Sequence, residues 1–111
     1  MALTQKRLAG PAVLTTTLTT DQYTVPSSTT TVVKQVLLCN TTASAVTATI
    51  YCVPSGDSAG DSHKIVNALS LAANETVMMS MSLVMTAGDK IKAGASTGSA
   101  VNIVLNGVEE A

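Results

Sequence analysis

Apolar and polar residues alternate along most of this chain. The alternation is clearest between Thr31 and Val53, TVVKQVLLCNTTASAVTATIYCV. Two runs rich in β-branched residues flank a polar break at Asn40–Ser44. Such side chains favour extended backbone, so the pattern predicts two neighbouring antiparallel strands, Thr30–Asn40 and Val46–Val53. A turn near Ser44 makes the numbers of opposed residues sum to about 88. Cys39 then faces a residue near Thr49. In the first strand Val32, Lys34, Val36 and Leu38 alternate with Val33, Gln35, Leu37 and Cys39. Neither set is wholly polar, as for a strand covered on both sides over part of its length. In the second strand Val46, Ala48, Ile50 and Cys52 form the core face.

The remaining segments continue the pattern. Residues 1–11 read as an N-terminal arm or a short lead-in strand, and residues 12–111 as a β-sandwich domain. Ala12–Thr20 favours strand, with Leu14, Thr16 and Leu18 on one face. The hydroxyl-rich opposite face of Thr15, Thr17 and Thr19 is placed toward solvent or a partner. Asp21-Gln22 starts a turn. Tyr23–Val25 is a short edge piece stopped by Pro26, which cannot donate to a ladder. Pro54–Asp61 is a loop by its Pro, Gly, Ser and Asp content. Ser62–Leu71 fits a helical face through Ile65, Val66, Ala68 and Leu69, or a strand face through Ile65, Asn67, Leu69 and Leu71. Its neighbours favour the strand. Thr76–Met85 puts Val77, Met79, Met81, Leu83 and Met85 on one face, with methionine as flexible core filler. Lys90–Ala95 turns Ile91, Ala93 and Ala95 inward. Ala100–Val108 does the same with Val101, Ile103 and Leu105, and Glu109-Glu110 makes an acidic tail. About eight strands at roughly ten-residue spacing predict an all-β fold, an antiparallel β-sandwich.

Composition narrows the function classes. The 111 residues fit one domain. The chain has no Phe or Trp and two Tyr, so its core is built of small aliphatics that each bury less area than an aromatic. Association with identical or different subunits would supply further burial, which leaves a homo-oligomer open. Net charge is −1 and 12% of residues are charged, too little positive field for electrostatic nucleic-acid binding. Lys6-Arg7 precedes an apolar run, but Gly10-Pro11 and the threonines break it, so it is no signal segment. No stretch approaches the ~20 apolar residues of a membrane helix. Synthesis in the cytoplasm without membrane contact is the expectation. Cys39 and Cys52 read as two small buried thiols in a reducing cytosol.

Few residues look chemically equipped. His63 follows Asp57 and Asp61, and a carboxylate–imidazole pair can do acid–base work. All three lie in or beside a Gly/Ser loop, where solvated charges are the commoner outcome. Asp57, Asp61 and Asp89 lack the calcium-loop series. There is neither a Gly-x-Ser-x-Gly elbow nor a phosphate loop. The expectation is a non-enzymatic protein with no catalytic residue, cofactor or metal. Its candidate contact surface is Thr15, Thr17, Thr19 and Tyr23. A carbohydrate- or host-surface-binding module acting through the Gly56–Asp61 loop is the alternative, and a small hydrolase using His63 the third reading.

A set of short motifs adds a biological setting. They are Tyr23-Thr24-Val25-Pro26, the run Lys34-Gln35-Val36-Leu37-Leu38-Cys39-Asn40-Thr41, and Val53-Pro54-Ser55-Gly56. Leu71-Ala72-Ala73-Asn74-Glu75-Thr76, Ala87-Gly88-Asp89-Lys90-Ile91, Ala100-Val101-Asn102 and Gly107-Val108-Glu109 complete them. Across roughly four fifths of its length, the chain resembles small proteins encoded among the tail genes of tailed bacteriophages and prophages. The resemblance implies a β-sandwich similar to the shoulder domain by which siphophage receptor-binding proteins attach to the tail tip. It implies other phage tail proteins as partners and a place in the virion tail. The neck and head regions of a full receptor-binding protein are not in this sequence, so attachment or scaffolding fits better than host-receptor binding.

Overall fold

The computed structural model describes residues 3–111. Eight strands form: β1 Leu3–Val13, β2 Thr20–Thr24, β3 Thr30–Asn40, β4 Val46–Val53, β5 Lys64–Leu71, β6 Thr76–Met85, β7 Lys90–Ala95 and β8 Val101–Glu110. They make two four-stranded sheets, ordered β1-β8-β3-β6 (sheet A) and β2-β7-β4-β5 (sheet B). Each pairing is antiparallel. The inner faces meet mainly through aliphatic side chains: Val36, Leu38, Ile103 and Leu105 from sheet A, Ile50, Leu71 and Ile91 from sheet B, all fully buried. Each such side chain contributes about 1.5–3 kcal/mol of burial free energy. The expected antiparallel β-sandwich is the fold.

The two strands that lead the sequence pattern are not partners. β3 pairs with β6 and β8, whereas β4 pairs with β5 and β7. The break at Asn40–Ser44 is an arch between the sheets instead of a hairpin turn. Asn40 explains why. Its side chain is fully buried. Nδ2 donates to the carbonyls of Ser44, Leu71 and Ala72 at 2.8, 3.2 and 3.1 Å. Oδ1 accepts from the Thr42 N–H and hydroxyl at 2.9 and 2.8 Å. A buried carboxamide is tolerated when its donors and acceptor are filled, and here it fastens the arch to the end of β5. Cys39 accordingly lies opposite Asn102 and Thr76, not near Thr49, and both cysteines are free thiols that are half-buried, not buried as expected.

Bulges account for the strands with mixed faces. Val33 opposes Gly107 and Gln35 opposes Asn106, so Lys34 is an extra residue against β8. The buried set is therefore Thr31 and Val33 before the bulge and Val36, Leu38 and Asn40 after it. β3 is mixed because its phase switches, not because both faces are covered. In β5, Ala68 has φ 50° and its N–H donates to Thr49 Oγ1 at 3.1 Å. Leu69 then pairs with Ala48 and Val66 with Ile50. Val66, Leu69 and Leu71 turn inward, and Ile65 and Asn67 of the expected face point out. β6, β7 and β8 keep the expected faces throughout.

The N-terminal third differs most from expectation. Of the two readings of the first residues, arm or lead-in strand, the strand forms: residues 3–11 belong to β1, which pairs with β8 and runs on through Val13. Met1 and Ala2 lie outside the described residues. The strand expected at Ala12–Thr20 does not form. Residues 14–19 cross from sheet A to sheet B. Leu14 drops into the core with its N–H on Val101 O, and the Ala95 N–H donates to Thr15 O. Asp21 and Gln22 are part of β2 and not a turn. Glu109 and Glu110 are the end of β8, not a tail, with Glu110 opposite Leu3.

Candidate functional site

Thr15, Thr17 and Thr19 are exposed on the crossing segment. They do not share a strand face. Thr15 Oγ1 and Thr20 Oγ1 are 3.1 Å apart, and Thr20 donates from both its N–H and its hydroxyl to Thr17 O. The Thr15 hydroxyl and the Thr17 carbonyl are thus engaged in a local turn. The segment lies tight on sheet B, since a Cβ at Gly94 would come within 2.5 Å of Leu18 Cα.

Tyr23, the fourth expected contact residue, sits on edge strand β2 but turns its hydroxyl inward. It donates to Glu109 Oε2 at 2.5 Å. That bond uses its one proton, so the Thr31 hydroxyl 2.7 Å away donates to it. Lys6 Nζ lies 3.0 Å from the other carboxylate oxygen. Desolvation, reinforced by Glu109, raises the Tyr23 phenol from its ordinary 10.0 to about 12. The same hydrogen bond, helped by Lys6, holds the Glu109 carboxyl below its ordinary range. This network joins β2 of sheet B to β3, β8 and β1 of sheet A. Beside it, Asp21 is held low by hydrogen bonds from Lys92 and Lys90, which lie 2.5 and 3.2 Å away.

The polar loop after β4 brings Asp57 and His63 together, with Nε2 and Oδ2 3.5 Å apart. The other ring nitrogen, Nδ1, accepts the Gly60 N–H at 3.1 Å. The imidazole thus closes the short 3₁₀ turn Asp61–His63, a positioning role that suffices to explain it. Asp61 pairs with Lys64, whose Nζ lies 5.9 Å from the Tyr51 ring centre. Tyr51 is buried. Asp89 is elsewhere. Partial desolvation pushes its pKa up, but N–H donors from Thr86 and Ser55 and the Thr86 hydroxyl outweigh that and lower it. Among the described residues no three of His, Cys, Asp and Glu are grouped to hold a metal ion.

The surface that sequence reasoning missed is the outer face of sheet A. Val108, Val32 and Val84 stand in one cross-strand row, and Val104, Leu37 and Met78 in another. Between them runs an amide row, Asn106 and Gln35, joined by a 3.1 Å hydrogen bond. Gln35 Nε2 reaches Met78 Sδ at 3.0 Å. Val84 and Met78 are 64% and 60% exposed. The bulge at Lys34 opens a shallow cleft of about 460 Å³ here, lined partly by Gln5, Lys34, Gln35 and Asn106. A second, apolar recess of about 290 Å³ lies between the sheet edges at Ile65, Met81 and Leu83. The clue in the sequence was the second, non-core set of each strand, which still carries valine and leucine. Comparison with protein-family models, curated proteins and solved structures finds no match for this chain.

Proposed function

We propose that this chain is a non-enzymatic structural or tail-associated protein of a tailed bacteriophage, working through contacts with other virion proteins. The observation that carries the reading is the outer face of sheet A, where valine, leucine and methionine occupy positions that a free-standing sheet gives to polar residues. The low charge supports it, since few ions need be desolvated when such a surface is covered. The sequence resemblance to phage tail proteins supplies the setting. The histidine and its aspartate fit a loop-closing role without invoking chemistry.

The test is affinity capture from cells infected with the encoding phage, together with mass spectrometry of purified particles. The expected result is co-recovery of tail proteins and the presence of this chain in the particle. Recovery of no virion protein, with the chain missing from particles, overturns the reading.

A further inference from the structure

We propose that the outer face of sheet A is the interface of a twofold dimer of this chain. The inference names the first partner within the contact-forming reading above, and it can fail separately from that reading.

Three observations carry it. The first is the pattern of the face: two apolar rows, Val108–Val32–Val84 and Val104–Leu37–Met78, lie on either side of the amide pair Asn106–Gln35. A twofold axis along the amide row sets each apolar row against the other row of the second copy. It also sets amide against amide, with Arg7 of edge strand β1 and Ser80 of edge strand β6 at the two rims of the row. A carboxamide both donates and accepts, so it complements its own kind, as a twofold interface requires.

The second is the state of those amides in the single chain. Gln35 directs its Nε2 to the thioether of Met78, a weak acceptor. The second copy offers a carboxamide oxygen instead.

The third is area. Four strands of ten or eleven residues make up the sheet. At ~4.8 Å between strands and ~3.4 Å per residue the face measures about 650 Å². Two faces bury about 1,300 Å², within the ~1,200–2,000 Å² of stable interfaces. Packed sheets stack face to face at ~10 Å separation.

The experiment is sedimentation equilibrium of the full chain and of the variants Val84→Lys, Met78→Lys and Ile65→Lys, each checked for the native β signal by circular dichroism. Val84, Met78 and Ile65 are 64%, 60% and 40% exposed in the single chain, so folding tolerates each change. The expected wild-type mass is twice 11.2 kDa. Val84→Lys and Met78→Lys each weaken association about tenfold or more, whereas Ile65→Lys, away from the face, leaves it unchanged. The proposal is overturned if the wild type has the mass of one or three chains at on the order of 100 μM, the level at which a dimer with a Kd of about that value or tighter is populated. It is equally overturned if folded Val84→Lys and Met78→Lys remain dimeric. A monomer found in virions removes the dimer and keeps the tail reading. A dimer absent from virions does the reverse.

Discussion

The hydroxyl of Tyr23, on an edge strand of one sheet, donates to the carboxylate of Glu109, on an inner strand of the other, at 2.5 Å. Tyr23→Phe removes this bond and strands a carboxylate with Lys6 as its remaining partner. A hydrogen bond to a charged group is worth about 1.5–3 kcal/mol, and a loss of about 2 kcal/mol is expected in urea unfolding.

The same pair sets the pH limits. Tyr23 titrates higher folded than unfolded, so its contribution is fully present below 10.0 and is lost as pH rises toward about 12. Glu109 titrates lower folded, so its contribution is present above the ordinary carboxylate range and is lost as pH falls through the depressed value. Thermal unfolding of Tyr23→Phe across pH should show a flatter alkaline limb than the wild type. Glu109→Gln should flatten both limbs. A wild-type-like profile in both variants would contradict the network.

Asn40 is expected to be the costliest polar position. Asn40→Ala leaves the carbonyls of Leu71 and Ala72 and the N–H of Thr42 without this partner at the arch. Buried unsatisfied groups cost about 1–3 kcal/mol each, so a total near 3 kcal/mol is expected, measured as a lower urea midpoint. Asn40→Asp should not rescue it, because an ionised carboxylate cannot donate to the carbonyls.

Three glycines give a graded test of the backbone packing. A Cβ at Gly107 would lie 2.3 Å from Val32 O, and one at Gly94 2.5 Å from Leu18 Cα, both backbone atoms. A Cβ at Gly60 meets nothing within 4 Å. Gly107→Ala and Gly94→Ala should each destabilise by about 1–3 kcal/mol or more, and Gly60→Ala by less than about 0.5 kcal/mol. Melting temperatures of the three variants check the order.

Asp89 joins two turns by accepting from Ser55 N and Thr86 N, each at 2.9 Å. Its lowered pKa means that this bracing is present above the ordinary carboxylate range and fades as pH falls through the depressed value. Asp89→Ala is expected to raise hydrogen exchange at the Ser55 and Thr86 amides at neutral pH, and to make little difference once the wild-type carboxyl is protonated.

Much of the secondary structure was readable because its signal is local. β6 alternates Val77, Met79, Met81 and Leu83 against Met78, Ser80, Ser82 and Val84, and that alternation survives folding unchanged. β3 and β4 have the expected bounds. Pairing was not readable. A polar break between two apolar runs serves a hairpin or an inter-sheet arch equally well, and the choice rests on Asn40 reaching Leu71, thirty-one residues away. The bulges at Lys34 and Ala68 leave no clear mark in composition, yet each reverses which side chains face the core. The candidate contact residues were chosen for exposed hydroxyls. That criterion placed the threonines on the surface, and Pro26 marked the edge on which Tyr23 lies, but nothing local showed the inward turn of the Tyr23 hydroxyl, whose partner Glu109 lies 86 residues further along. The outer face of sheet A escaped because it is assembled from three strands remote in sequence.

Strand order also governs how the polypeptide acquires its shape. β4–β5 is the one pairing between consecutive strands, and β8 supplies two of the three ladders of sheet A. Nascent β1 and β3 thus emerge from the ribosome long before their shared neighbour exists, with backbone amides and valines uncovered. Closing such long loops is entropically slow, and assembly should be late, cooperative and dependent on chaperone shielding during translation.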